Sequence, residues 1–304
     1  MSKILIAGGS GLIGMKVTQD LIANGHEVAH LSRSPKKDAG VPVYVWDLKK
    51  QYVDPEALID VDYVINFAGA SIADKRWTDD QKKAIINSRV KGNEFFQKLI
   101  EDKRLSIKKF ISGAAIGYYG DRGSEVLTEE SSAGTTGFLS ESCILWEESI
   151  KAIGTTGVPV AYVRIGIVLS TEGGALEKML GPAQFGLGSY FGDGSQIYSW
   201  VHIDDISKVF EWIVDTPNAE GVYNGTAPNP LSNKDFVKIM MNVKGGIGVV
   251  APVPEFVLTA MLGEMKAVVM TGSHVLPKKL EKEGFEFQYK ELQLCFEDLL
   301  TNKN

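Results

Sequence analysis

Lys3-Ile4-Leu5-Ile6-Ala7-Gly8-Gly9-Ser10-Gly11-Leu12-Ile13-Gly14 opens the chain, and its reading decides the fold. The apolar run stops at glycine, which predicts a buried strand over Lys3–Ala7. Beyond it, Ile13, Val17 and Leu21 recur every four residues on one helical stripe, and Asn24-Gly25 supplies a C-cap. Between strand and helix stand Gly8, Gly11 and Gly14. A tight turn needs glycine, and so does a backbone approaching a pyrophosphate; the last glycine lets the helix pack close to the sheet. Free N–H groups at the helix start then face an anion, helped by the helix dipole. The spacing alone is a weak signal. Its position between a strand and a helix gives it weight against the alternative, a glycine turn that binds nothing.

Working outward, the same rhythm repeats. Further strands are expected at Glu27–Ser32, Val43–Trp46, Asp62–Ala68, Lys109–Gly113 and Pro159–Leu169. Helices are expected at Asp79–Lys103 and at Phe138–Ile153, where Leu139, Cys143, Trp146 and Ile150 form one stripe. Strands alternating with helices mean right-handed crossovers and an α/β fold of the Rossmann type, a doubly wound parallel sheet. Later segments are less regular. Residues 171–203 are rich in glycine and aromatics, Ile206–Val214 reads as helix, Gly221–Asn224 as a short strand, and the segment after Pro228 as helix with several prolines. The expected organisation is an NADP-binding domain over 1–170, to which 204–228 returns. A smaller C-terminal substrate domain is built from 171–203 and 229–304.

Composition narrows the classes. The chain has 304 residues, 44% of them hydrophobic, and a formal charge of −6. It can bury a large core, which excludes wholesale disorder. Mild acidity excludes a basic nucleic-acid groove. No apolar run reaches the length of a transmembrane helix, and the apolar opening is too short for a secretory signal. Cys143 and Cys295 lie 152 positions apart, so neither a disulfide framework nor a zinc site is expected. The four histidines have no metal-ligand spacing, so no metal is expected. These readings point to a cytoplasmic protein with a small-molecule partner, no nucleic acid and no membrane. Oligomeric state stays open.

The strand ends choose the cofactor. A site for NAD places an acidic residue about 20 positions after the glycines, on the ribose 2′-hydroxyl. Here the second strand ends Leu31-Ser32-Arg33-Ser34, and the next carboxylate is Asp38. Ser32 and Arg33 suit a 2′-phosphate, Arg33 through its planar charged fork, so NADP(H) is expected; the alternative is a solvated surface arginine. Asp47-Leu48 ends the third strand, where an adenine fits. Asn66-Phe67-Ala68-Gly69-Ala70 ends the fourth, where small residues let a cofactor pass close to the backbone.

Together these residues resemble the short-chain dehydrogenase/reductase superfamily, in its extended, nucleotide-sugar-epimerase-like branch. Four motifs are similar to those of one atypical subgroup, an NAD(P)-dependent epimerase-like family with a small C-terminal domain. They are Ser112-Gly113-Ala114-Ala115-Ile116-Gly117-Tyr118-Tyr119-Gly120, Phe138-Leu139 with Cys143 and Trp146-Glu147, Arg164-Ile165-Gly166-Ile167-Val168-Leu169, and Gly192-Asp193-Gly194-Ser195-Gln196 with Ser199-Trp200-Val201-His202-Ile203-Asp204-Asp205. The resemblance runs to Pro277–Phe285 near the end. It implies a Rossmann fold and a cofactor touching Ser10, Leu12 and Ile13, Ser32 and Arg33, and Phe67, Ala68 and Gly69. It also implies Ser88 and Arg89 on a helix facing the cofactor, and Gly166-Ile167 running past the nicotinamide.

The superfamily's chemistry uses a tyrosine, a lysine four residues later, and a serine or threonine. Such spacing puts both side chains on one helical face, where the ammonium eases proton exchange by the phenol. None of the ten tyrosines here is followed by lysine at that spacing. The best alignment puts Leu139 at the tyrosine and Cys143 at the lysine, on an apolar stripe that reads as core packing. The hydroxyl position falls on Ala114 or Ala115. Replacement acids are Tyr118 and Tyr119, with Arg122 the nearby cation, or His202. Against these stand an aromatic wedge and a histidine bonded to Asp204 or Asp205. Cys143 reads as a buried thiol. Arg164 meets either a substrate anion or Glu147, and Trp200 is a second substrate candidate. Two functions follow: an NADP(H)-dependent epimerase or oxidoreductase with unusual acid–base residues, or a non-catalytic NADP(H)-sensing protein. An S-adenosylmethionine enzyme fits the first loop and Arg33 less well.

Overall fold

A computed structural model describes residues 1–34, 40–245 and 248–301; Asp38 lies outside them. The chain begins β1 (Lys3–Ala7), α1 (Leu12–Ala23), β2 (Glu27–Ser32), β3 (Val43–Asp47), β4 (Tyr52–Val53) and β5 (Tyr63–Asn66). It continues α2 (Asp79–Glu101), β6 (Lys109–Ala115), β7 (Gly123–Leu127), α3 (Phe138–Gly154), β8 (Val160–Ile165) and β9 (Ile167–Leu169). Then come α4 (Gly174–Ala183), β10 (Leu187–Phe191), β11 (Ile197–Tyr198), β12 (Trp200–His202), α5 (Ile203–Asp215) and β13 (Gly221–Gly225). The last part is β14 (Leu231–Ser232), α6 (Asn233–Lys244), β15 (Val249–Val253), α7 (Glu255–Leu262), α8 (Ala267–Met270), β16 (Ser273–Val275), α9 (Lys278–Lys282) and α10 (Leu292–Thr301).

Eight strands form one sheet in the order β13-β8-β6-β5-β1-β2-β3-β4. Every pairing is parallel except β3 with β4. The strand order reverses at β1, with β2 on one side and β5 on the other, so a crevice opens between the loops after β1 and β5. Alternation along β1 serves both faces of the sheet. Ile4 and Ile6 pack with Val17 and Leu21 of α1 and Phe210 of α5. Leu5 and Ala7 pack with Phe95, Phe96 and Leu99 of α2. A separate core joins Trp200, Phe236, Met240 and Phe296 in the C-terminal part.

The expected strand Pro159–Leu169 divides at Gly166. There the backbone turns into Ser199, and a Cβ on Gly166 would lie 2.5 Å from the Ser199 carbonyl oxygen. The chain leaves the main sheet and β9 pairs with β12 instead. Within 171–203, read as irregular, α4 forms despite Gly173-Gly174 at its start and Pro182 inside it. After Pro228 the expected helix is interrupted by β15, which pairs with β10. The expected fourth strand stops at Asn66, because the Asn66 side-chain oxygen accepts the Ala68 N–H and turns the chain out of the ladder.

Gly14 has no room for a side chain: a Cβ would lie 2.5 Å from the Gly8 carbonyl oxygen. Gly14→Ala is therefore expected to destabilise the fold by roughly 1–3 kcal/mol, seen as a lower urea midpoint with an unchanged slope.

Candidate active site

The turn after β1 is built by glycine. Gly8 has φ +81°, and a Cβ there would lie 2.8 Å from the Phe67 carbonyl carbon, so the loops after β1 and β5 touch. Gly11 donates its N–H to Gly8 O at 3.0 Å and stands as N-cap of α1. No side chain caps that helix and its first turn holds no acid, so its positive end is open beside exposed Ser10 and Gly11. Leu12 and Ile13, half-buried, fix the turn against the core. This donor set, unspent by the protein, fits a pyrophosphate.

The other expected cofactor residues follow neighbouring strand ends. Ser32 ends β2 half-buried, and Arg33 is exposed beyond it. The Asp47 carboxylate, at the end of β3, accepts the Lys49 N–H at 2.9 Å and the Lys50 N–H at 3.2 Å, while Leu48 packs on the core. Phe67 is held edge-on against Phe210, with ring centres 4.6 Å apart. Beneath Ala68 and Gly69, Asn66 donates to Asn93 at 2.8 Å and Asn93 donates to Ser149 at 2.9 Å, which ties β5 to α2 and α3. Ser88 accepts the Ala70 N–H at 2.8 Å. Arg89 donates to Ala70 O and Ile85 O and lies 4.8 Å over the Trp146 ring. Burial pushes the Arg89 pKa down, and no carboxylate pairs with it among the described residues. Gly166 and Ile167 leave β8 on the same edge of the sheet.

α3 presents Leu139 and Cys143, the two residues expected in place of the superfamily's tyrosine and lysine, to Gly117. A Cβ on Gly117 would sit 3.6 Å from Leu139 and 3.2 Å from the Cys143 sulfur. Burial pushes the Cys143 thiol up to about 12. Ala114 is buried, and the Ser112 hydroxyl is spent on the Gly113 carbonyl at 2.8 Å.

Four of the candidate residues are buried and take partners within the protein. Arg164 is 2% exposed; its Nε and Nη2 donate to Glu147 at 2.6 and 2.9 Å, and its Nη1 to the Tyr119 hydroxyl at 2.8 Å. Its fork is filled by the protein, so it does not offer an edge to a substrate. Tyr119 is fully buried, its hydroxyl 2.7 Å from Asn224 Oδ1, and burial pushes its pKa up to about 12. Trp200 is also fully buried and donates to Asn229 O at 3.1 Å. His202 is 1% exposed and stacked on Tyr289; its Nδ1 accepts the Asp204 N–H at 3.0 Å and so caps α5. Although His202, Asp204 and Asp298 bring ligand atoms within 4.8 Å of one another, that cap leaves the ring proton on Nε2, 3.3 Å from Asp298. The trio is thus a histidine–carboxylate pair closing a helix.

Tyr118 alone of the three proposed acids is half-exposed. Its cation is not Arg122, which pairs with Glu125, but Arg164, whose guanidinium lies 3.6 Å from the ring centre. Sequence spacing misses this because Arg164 reaches Tyr118 across the β6–β8 pairing, which sets Ala114 beside Arg164. Trp146, part of the α3 stripe, likewise carries a contact that spacing does not show, the Arg89 guanidinium over its ring.

Glu147→Ala leaves Arg164 charged and unpaired in the interior, and a loss of about 3–5 kcal/mol is expected as a lower melting temperature. Native protein at pH 8 is expected to give no thiol reaction with Ellman's reagent, with both cysteines appearing in denaturant. A fast-reacting native thiol would contradict the burial of Cys143 and Cys295.

Sequence and structure comparisons agree with this geometry. The NAD dependent epimerase/dehydratase family matches residues 4–224, and a domain of unknown function, DUF1731, matches residues 253–299. Epimerase family protein YfhF of Bacillus subtilis is 35% identical over 301 residues, 99% of this chain and 98% of its own. Epimerase family protein Mb2239 of Mycobacterium bovis is 33% identical over 291 residues, 94% of this chain and 93% of its own. Among solved structures, human epimerase family protein SDR39U1 with NADPH superposes with a TM-score of 0.90 at 28% identity, over 99% of both chains. A nucleoside-diphosphate sugar epimerase of Corynebacterium glutamicum gives 0.78 at 31% identity, over 98% of this chain and 58% of that one. Among the described residues no helix is long and apolar enough to cross a membrane.

Proposed function

Because the chain belongs to the NAD dependent epimerase/dehydratase family, we propose that it is an NADP(H)-dependent epimerase or oxidoreductase. The observation that carries the cofactor choice is the end of β2. Ser32 and exposed Arg33 stand there, where a carboxylate would select NAD. The open start of α1 takes the pyrophosphate, the loop Phe67–Gly69 lies along the dinucleotide, and Arg89, without a carboxylate, faces the same crevice. The NADPH bound by the human relative supports this reading. In this proposal residues 1–170 with 204–228 hold the cofactor, residues 171–203 and 229–304 complete the substrate side, and the protein works in the cytoplasm.

The cofactor supplies hydride transfer. The chain's own part is to orient and to move a proton. Tyr118 is the group we assign to proton exchange with the substrate oxygen, its ring held by the Arg164 guanidinium at 3.6 Å. Leu139 and Cys143 supply no proton and exclude water beside it. One observation favours the alternative, an NADP(H)-sensing protein: the two positions of the usual catalytic pair carry apolar packing groups. A sensor must bind its two cofactor states unequally.

The test is a titration with NADPH, NADP⁺ and NADH. Arg33→Ala is expected to weaken NADPH roughly ten-fold or more, as a lost charge-assisted contact of about 1.5–3 kcal/mol implies, and to leave NADH unchanged. Equal effects on both would overturn the assignment of strand β2. Tyr118→Phe is expected to keep NADPH affinity and lose turnover. Turnover that survives the change would remove Tyr118 from the chemistry.

A further inference from the structure

We infer that residues 254–270 are a hinged flap, latched closed in this structure, whose release opens the seam between the C-terminal part and the carboxyl edge of the main sheet. The first ground is where the segment is rooted. It leaves β15 and ends with α8, and both ends come back to one short stretch, 192–198. Gly192 donates its N–H to Val253 O at 2.9 Å, and a Cβ on the same glycine would lie 3.1 Å from Met270 Cε. Tyr198 and Gln196 donate to Val269 O at 2.8 and 3.3 Å. Beyond the far root the chain is fixed again, because Ser273 donates to Gly120 O at 2.8 Å and β16 pairs with β7. An excursion whose two ends lie side by side swings about them through a few backbone dihedrals.

The second ground is what holds the excursion between its roots. Within 255–270 Leu258 alone is buried. By contrast, α6 buries five of its twelve residues and α10 four of its ten. The flap is stiffened from within. Lys266 donates to Glu255 at 2.7 Å and to the Thr259 hydroxyl at 3.0 Å, which joins α7 to the 3-10 turn Gly263–Lys266. Among the described residues, only Arg76 and Lys82 reach residues 255–268 from outside by hydrogen bond or ion pair. Arg76 Nη2 donates to Ala260 O at 2.9 Å and Met261 O at 2.8 Å. These carbonyls stand in the last turn of α7, where a helix leaves acceptors unspent and its dipole favours a cation. Lys82 pairs with Glu264 in the turn that follows.

Both latch residues belong to the other side of the seam. Arg76 stands in the loop that leaves the carboxyl end of β5, and Lys82 near the start of α2. The tip of the flap therefore closes onto the same edge of the sheet as the glycine turn after β1 and the loop Phe67–Gly69. Arg76 is exposed, and so is Glu264. Polar contacts so open to water hold little, and a segment with one buried side chain opens before packed helices do. Exposed Lys75 and Lys83 stand beside the latch but make no bond to the flap.

The experiment is hydrogen–deuterium exchange, read by mass spectrometry on the full-length protein without added ligand. Amides of 255–268 are expected to open as one unit, with protection roughly ten-fold or more below that of α6 and α10. Arg76→Ala is expected to lower the protection of that unit by roughly three- to ten-fold more and to leave α6 and α10 unchanged. Lys83→Ala removes a neighbouring charge outside the latch and should change neither. Glu264→Gln gives the same test from the flap itself should Arg76→Ala fail to fold, with protection of the unit lowered roughly two-fold. Protection of 255–268 equal to that of α6 overturns the flap. The latch is overturned if Arg76→Ala leaves the unit as it was or loosens α6 and α10 equally. An effect of Lys83→Ala as large as that of Arg76→Ala overturns it too.

Discussion

A single buried ion pair, Glu147 with Arg164, organises the centre of this molecule. Two charges taken out of water are tolerated only when every donor and acceptor is met. Here the guanidinium spends two nitrogens on the carboxylate and the third on Tyr119, and the Tyr119 hydroxyl reaches Asn224. Asn224 in turn donates to Leu276 O and takes the Glu129 carboxylate on its N–H. One network therefore joins α3, β8, β13, the turn after β6 and the start of the last segment. The parallel sheet brings these groups together because β8 lies between β6 and β13.

That network fixes how α3 sits against the sheet. Here α3 turns Leu139 and Cys143 toward Gly117 and sends its carboxylate, Glu147, into the interior. Two guanidinium groups lie on aromatic rings beside it: half-buried Arg89 of α2 on Trp146, and buried Arg164 of β8 on Tyr118. Burial raises the pKa of both the Cys143 thiol and the Tyr119 phenol, which holds them neutral near pH 7. Tyr118, half-exposed, stands at the same edge.

The C-terminal part is net negative, with eleven lysines against seventeen aspartates and glutamates over residues 165–304. Its own core, around Trp200, Phe236 and Phe296, makes it a self-supporting layer. It is tied to the first part by many hydrogen bonds, among them Ser273 to Gly120, Arg76 to the end of α7, and the Gln288 and Tyr289 N–H groups to Asp205. Lys16 adds an ion pair to Asp204 at 3.1 Å, and Ser207 donates to Asp20 at 2.6 Å, so α5 is locked onto α1.

Much of the fold was legible in local patterns. The glycines after Ala7, the stripe Val17–Leu21 and the ends of β2 and β3 could be read directly, because a buried parallel strand is a short apolar run and its turn needs glycine. The strand at Pro159–Leu169 could not. Apolar residues flank Gly166 on both sides, and the strand divides only because Ser199, 33 positions on, crowds Gly166. Helix α4 was hidden by Gly173-Gly174 and Pro182, signals that usually end helices. Arg164, Tyr119, Trp200 and His202 sit in motif-like stretches, yet all four are buried; the first three are partnered by residues distant in sequence, and His202 caps its own helix while stacking on distant Tyr289. By itself, then, the sequence determined the parallel sheet, the glycine turn and that no tyrosine is followed four residues on by lysine, all of which depend on neighbours within a few positions. Only the tertiary structure decided which polar side chains are spent on one another and which still face the crevice. Burial and pairing depend on strand order and crossovers that bring together residues far apart in the chain.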